Sequence, residues 1–195
     1  MKIALFDFDG TITSRDTLFD FIKFSVGNRK YYYGIMLLTP IFIAFKLKMI
    51  SNHTAKEKLI SYFFAGYERN RFKNISDNYS KNRIENIVKK KAIETIVWHQ
   101  QQGHKVVVVT ASIECWLKQW CKKNNIDLIG TKLEVKNNKI TGRFKTRNCH
   151  GIEKVNRIRE KYNLSMFDEI YAYGDSRGDK EMLELANNAY FKPFQ

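Results

Sequence analysis

Residues 2–13 read KIALFDFDGTIT: an apolar run, Ile3 to Phe6, ending in Asp7 and Asp9, then Gly10 and Thr11. So short an apolar run, stopped by glycine, suits a strand buried on both faces at the centre of a parallel sheet. At the end of such a strand Asp7 and Asp9 have the same parity and are expected to project to one side. Two carboxylates that close together resist ionisation unless a cation lies between them. The pair has two readings. In one, it belongs to a Mg2+ site in which one aspartate is also a nucleophile. In the other, Asp-Gly is only an acidic turn at a strand end.

Working outward, the chain has 195 residues, enough for one domain or a core with a smaller insert. At 44% hydrophobic and 14% aromatic it is globular rather than disordered. Two prolines leave no Pro-rich linker, and no internal repeat is visible. Cys115, Cys121 and Cys149 form no metal-ligand pattern, and their odd number argues against a disulfide framework. A reducing, cytoplasmic setting is expected, and no signal-peptide pattern opens the sequence. The 34 basic against 20 acidic residues give a net charge of +14, which attracts nucleic acid, anionic lipid or phosphorylated small molecules. The basic residues are spread along the chain, so general compositional bias explains the charge equally well.

Ser14 to Val26 has helical apolar spacing, with Ser14 a possible N-cap and Gly27-Asn28 a stop. Tyr31 to Phe45 is uncharged and bracketed by Lys30 and Lys46. Fifteen helical residues span about 22 Å, short of the roughly 30 Å hydrocarbon core of a bilayer. Pro40 would also bend the helix. Tyr31 to Ile50 therefore reads as a buried helical hairpin, or as an apolar face resting at a membrane interface, rather than as a transmembrane helix. Helices continue to Val88 without a convincing strand. From Arg15 to Val88 there are 13 Lys and Arg against 6 Asp and Glu, a composition unlike that of residues 89–195. We read 15–88 as an all-helical insert, a cap, and 1–14 with 89–195 as the α/β core.

Beyond Lys89 helices and strands alternate. A helix from Ala92 to Gln102 precedes the strand Val106 to Val109, followed by Thr110-Ala111-Ser112 and a helix to Asn124 whose core face carries Trp116 and Trp120. Leu128 to Phe144 reads as a strand pair, TKLEV (131–135) and KITGRF (139–144), turned at Asn137-Asn138. A helix over Ile152 to Tyr162, the strand 169–175, a helix from Asp179 and a short last strand complete the chain. His104 and His150 read as surface or loop residues. The alternation predicts a Rossmann-like, doubly wound parallel sheet, with ligands at the carboxyl ends of its strands. Asp7, Asp9, Thr110, Asp175 and Asp179 all fall at that edge, where carboxylates would form an oxygen-only cage suited to Mg2+.

In order along the chain, Asp7-Phe8-Asp9-Gly10-Thr11, Val106 to Thr110, Lys154 and Gly174 to Asp179 resemble the four motifs of the haloacid dehalogenase superfamily. The helical insert directly after the first motif, and the stretch Asn148 to Lys154, resemble its phosphoserine-phosphatase-like branch. The resemblance implies Mg2+-dependent phosphomonoester hydrolysis, with Asp7 attacking phosphorus to form an aspartyl phosphate. Asp9 would be the acid and base, a residue that the dehalogenase members lack. Thr110 and backbone N–H groups near Ala111 and Ser112, at a helix start, would bind the phosphoryl group, together with Gly10 and Thr11. Lys154 would neutralise charge, a role that Lys145 or Arg147 could also fill. Asp7, Asp9 through its carbonyl, Asp175 and Asp179 would surround the metal, although Asp179 is also a fitting N-cap.

In the smallest amino-acid phosphatases of that branch an acidic residue nine positions after the nucleophile meets the substrate amine. Asp16 holds that position here, unless it caps the first cap helix. The long apolar Tyr31–Ile50 segment instead resembles caps of members proposed to act on lipid phosphates such as phosphatidylglycerol phosphate. The expected partner is thus a phosphorylated small molecule or a lipid head group, with peripheral contact at an anionic membrane. A basic nucleic-acid- or membrane-binding module is the reading from another class. A pure binder has no need of Asp9, and no aromatic-basic RNA motif is present.

Overall fold

A computed structural model describes all 195 residues. The strands are β1 (Lys2–Phe6), β2 (Lys105–Ile113), β3 (Asp127–Thr131), β4 (Leu133–Lys136), β5 (Lys139–Phe144), β6 (Glu169–Gly174) and β7 (Asn188–Phe191). The helices are α1 (Thr17–Leu37), α2 (Thr39–Lys46), α3 (Asn52–Phe64), α4 (Arg69–Asn82), α5 (Lys90–Gln101), α6 (Glu114–Lys123), α7 (Ile152–Lys161) and α8 (Lys180–Glu184). Five parallel strands form one sheet in the order β3-β2-β1-β6-β7.

β1 lies at the centre because both its faces are apolar and both are covered. Ala4 and Phe6 join Val106, Val108 and Tyr173 on the face that carries Trp116 and Trp120 of α6. Ile3 and Leu5 join Val107, Val109 and Ala172 against Ile158 of α7 and Met182 of α8. The chain winds away from β1 in both directions, towards β2 on one side and β6 on the other. The resulting switch point leaves a crevice at the carboxyl ends of β1 and β6.

Between β1 and β2 every regular element is helical. The two connections to this segment run side by side: Thr13 bridges Val88, Ser14 N–H donates to the Ile87 carbonyl and Lys89 N–H to that of Ile12. The apolar interior runs from the sheet into the helices through Phe21, Phe64, Phe72, Tyr79 and Trp116. Phe21 stacks on Trp116 with ring centroids 4.5 Å apart. Arg83 makes a two-pronged ion pair with Asp20, which also accepts from the Tyr79 hydroxyl.

Two readings are corrected. The hairpin read over 131–135 and 139–144 is present as β4–β5, but the residues before it, from Leu128, belong to Asp127–Thr131, the edge strand β3 of the main sheet. Gly130 disguises β3 in the sequence, yet it is needed there, because a β-carbon would fall against Glu114 and the Ser112 carbonyl. The hairpin, turned at Asn137 and Asn138 with φ of 49° and 60°, leaves the sheet and packs on α3. The stop read at Gly27 is present: at φ 79° and ψ 166° it is non-helical and ends the first helical stretch of α1, and a second stretch follows directly and runs to Leu37. The Tyr31–Ile50 segment is not buried. α2 has no buried residue, because the aromatic cluster around Phe21 already fills the space beneath and the segment meets it with one side only.

Candidate active site

The Asp7 N–H donates to the Tyr173 carbonyl at 2.9 Å, so the β1–β6 ladder holds the backbone until the first aspartate. There the strand breaks into an irregular turn, Phe8–Ile12, with Gly10 at φ 82°. A β-carbon at Gly10 would fall against the Asp175 carboxylate, so glycine serves both the backbone and the close approach. Because the strand ends at Phe6, strand parity no longer applies and the two aspartates diverge. Asp7 turns into the core, while Asp9 accepts from the Thr17 N–H at 2.7 Å and from the Ser112 hydroxyl.

The Asp7 side chain meets the one buried cation of the sheet edge. Lys154, in the first turn of α7, is 1% exposed, and Nζ donates to Asp7 Oδ1 at 2.6 Å, Asp179 Oδ1 at 2.7 Å and the Val109 carbonyl at 2.7 Å. All three ammonium protons are therefore used. Lys145 and Arg147 make other contacts: the Lys145 N–H donates to the Lys132 carbonyl, and the Arg147 carbonyl accepts from Arg157. Thr11 Oγ1 lies between Asp7 Oδ2 at 3.1 Å and Asp175 Oδ1 at 3.2 Å. Asp179 both caps and clusters: Oδ2 accepts from Ser176 Oγ and N–H and from the Asp175 N–H, closing a capping box.

Carboxylate oxygens of Asp7, Asp175 and Asp179 lie within 4.8 Å of one another. One ammonium cannot neutralise three carboxylates. Burial pushes Asp7 up to about 7, against the pull of Lys154. Burial also raises Asp175. Asp179 is desolvated as well, but Lys154 and Ser176 hold it below its usual value. Burial alone would lower Lys154; Asp7 and Asp179 hold it above an ordinary lysine. An all-oxygen donor set with surplus negative charge fits Mg2+. The Asp9 carboxylate is outside this cluster, since its oxygens face Thr17 and Ser112, and only its backbone carbonyl is left for the metal role.

Thr110 is fully buried, and its Oγ1 accepts from the Ser112 N–H at 3.0 Å. Ala111 and Ser112 do not sit at a helix start: β2 continues through a register shift to Ile113 and α6 begins at Glu114. The Ser112 N–H is thus already taken, and its hydroxyl faces Asp9 and, at 2.9 Å, Thr17 Oγ1. Asp16 is the N-cap of α1, accepting from the Leu18 N–H at 2.8 Å. Burial, then the nearby Asp9, raises its pKa, and Lys56 opposes them.

Sequence reasoning missed several neighbours. Lys89 Nζ donates to the Gly10 carbonyl, Lys56 Nζ approaches the Ala111 carbonyl at 3.4 Å, and the His150 ring packs against Gly178. The only signal in the chain was Ser176-x-x-Asp179, the spacing of a capping box. Lys56 and Lys89 each bridge more than fifty residues and carry no local mark.

A family model described as haloacid dehalogenase-like hydrolase matches residues 4–184. The protein CicA of Caulobacter vibrioides is 29% identical over 195 residues, covering 99% of this chain and 86% of that one. A protein of unknown function from Bordetella pertussis Tohama I superposes with a TM-score of 0.83 at 20% identity, over 95% of this chain and 86% of that one. A phosphoserine phosphatase solved with substrate bound gives 0.70 at 18% identity, over 97% and 85%.

Proposed function

The chain belongs to the haloacid dehalogenase-like hydrolases, and from that premise we propose that it is a Mg2+-dependent phosphomonoester phosphatase working through an aspartyl-phosphate intermediate. The observation that carries this reading is the gathering of Asp7, Asp175 and Asp179 around buried Lys154 at the switch point of the sheet. When bound there, Mg2+ would offset carboxylate charge and draw in a phosphate. Asp7 and Asp175, with the Asp9 carbonyl, would hold it, and Asp179 would support it from behind Asp175.

Asp7 is the nucleophile in this reading. Lys154 donates to its Oδ1 and Thr11 to its Oδ2, so both oxygens are oriented before substrate arrives. The attacking oxygen forms a bond to phosphorus as the ester oxygen leaves with its pair of electrons. Asp9 gives that oxygen a proton, then takes one from the water that cleaves the aspartyl phosphate. Its anchors on Thr17 and Ser112 hold the Asp9 side chain apart from Asp7 and Lys154. Thr110, behind Ser112, and Gly10 and Thr11 shape the phosphate side of the crevice. Asp16 acts in this reading as a helix cap whose charge, set beside Lys56, edges the substrate mouth.

The substrate is a phosphorylated small molecule resembling phosphoserine, and a cytoplasmic site of action suits the three free thiols. A second reading, the same chemistry on a lipid head-group phosphate, is favoured by the exposed apolar Tyr31–Ile50 segment. The test is Mg2+-dependent hydrolysis of p-nitrophenyl phosphate, phosphoserine and phosphatidylglycerol phosphate. Asp7→Asn is expected to reduce turnover to the buffer blank while retaining the folded circular-dichroism spectrum. A folded wild-type protein inert on the whole panel with Mg2+ present would overturn the proposal.

A further inference from the structure

The part of α1 beyond Gly27, together with α2 and the turn after it, is apolar on two sides. Tyr31, Ile35, Leu38 and Phe42 pack against the helical interior, and Gly34 lies against Phe63 and Tyr62. The opposite side faces solvent: Tyr32, Tyr33, Met36 and Leu37 on α1, Ile43 and Phe45 on α2, then Leu47 and Met49 at 65% and 74% exposure. An isolated exposed leucine is ordinary, but eight exposed large apolar side chains within the short stretch from Tyr32 to Met49 mark an interaction surface.

The charges around the patch select its occupant. From Phe21 to Lys56 there is no Asp or Glu, whereas Lys23, Arg29, Lys30, Lys46, Lys48 and Lys56 are all basic. Arg29 and Lys30 stand exposed before the first half of the patch, and Lys46 and Lys48 stand exposed within the second. A symmetric contact with a second copy would set these cations against themselves on a chain already at +14, which disfavours that occupant. Tyrosines, aliphatic side chains and interleaved lysines instead match the boundary between lipid head groups and acyl chains. No helix is long and apolar enough to cross a membrane, so the surface would lie on a bilayer rather than span it.

We propose that the α1–α2 hairpin is a docking surface for an anionic lipid bilayer. The apolar side chains enter the interface and the surrounding lysines and arginine sit at the level of the anionic head groups. The proposal stands on the hairpin alone and does not depend on the phosphatase reading.

The experiment is co-sedimentation of the full chain with vesicles of phosphatidylcholine and phosphatidylglycerol in a three-to-one ratio. Vesicles of phosphatidylcholine alone are the control, at low and at high salt. The wild-type protein binds the anionic vesicles at low salt, and high salt weakens it. The neutral triple variant Ile43→Gln, Leu47→Gln, Met49→Gln loses about tenfold in partitioning because it removes buried apolar contact without touching charge. Lys46→Gln with Lys48→Gln weakens binding and flattens the salt dependence. Both variants keep the wild-type rate on p-nitrophenyl phosphate, so failed chemistry and failed docking are read separately. Three results overturn the proposal: no binding to anionic vesicles at low salt, equal binding by the triple variant, or a dimer seen by light scattering that the triple variant dissolves.

Discussion

Lys154 is a lysine with no water to solvate it: its charge is carried by Asp7, Asp179 and one carbonyl. Removing one member of a buried ion cluster leaves the others uncompensated and costs about 3–5 kcal/mol. Lys154→Met is therefore expected to lower the urea-unfolding free energy by that order, with Mg2+ restoring part of it by relieving Asp7 and Asp179. A loss below about 1 kcal/mol would mean that the cluster is solvated. At this scale Asp7, Asp175 and Asp179 were legible, because each stands beside a strand end or helix start that the sequence marks, whereas Lys154 was singled out only by the resemblance to a family motif. The separate direction of Asp9 was not. Strand parity placed it with Asp7, and only the premature end of β1 and the positive φ of Gly10 send it to Thr17 and Ser112.

Among the elements, α5 carries a feature that its apolar periodicity hides. His99, fully buried, faces His104 Nδ1 at 2.7 Å and the Tyr173 hydroxyl at 2.8 Å, and Phe6, Trp98 and Tyr171 surround its ring. Burial, then the neighbouring His104, holds its pKa down at about 4 from an ordinary 6.5. Between those values the unfolded chain binds the proton and the folded one does not, so stability rises with pH across that interval. The contribution is complete above pH 6.5 and is lost as the pH falls towards 4. Thermal midpoints should accordingly drop from pH 7 to pH 5, and a His99→Gln variant should show a flatter profile. An unchanged wild-type midpoint over that range would refute the burial of a neutral His99. The sequence placed a helix over this residue correctly, but its partner Tyr173 lies 74 residues away. The strand β3 was lost for a related reason, since Gly130 reads as a breaker until the approach of Glu114 is known.

For the molecule as a whole, the shift in composition at Val88 was visible, and so was the alternation that makes the parallel sheet. The sequence did not reveal that the β4–β5 hairpin reaches across and ties the two regions together. Gly66 N–H donates to the Ile140 carbonyl, Ile140 N–H to that of Tyr67, and Arg69 N–H to that of Asn138. Gly142, at φ 84°, lies so close to Ser61 that any side chain would strike its backbone. Gly142→Ala is expected to cost on the order of 2 kcal/mol and to speed tryptic cleavage at Lys136 and Lys139. Cleavage at the wild-type rate would show that the hairpin is not the clasp. The central position of β1 has a further consequence, in time rather than in space. Its two neighbours begin at Lys105 and Glu169, so the strand that leads into Asp7 can pair with neither until about a hundred residues have followed it. Helices α1 to α4 can form from nearby residues, but β1 must wait for distant ones, and such long-range pairing is slow. An apolar strand, Ile3 to Phe6, thus depends on partners that come late in the chain, and Asp7 acquires its surroundings only when the sheet closes around it.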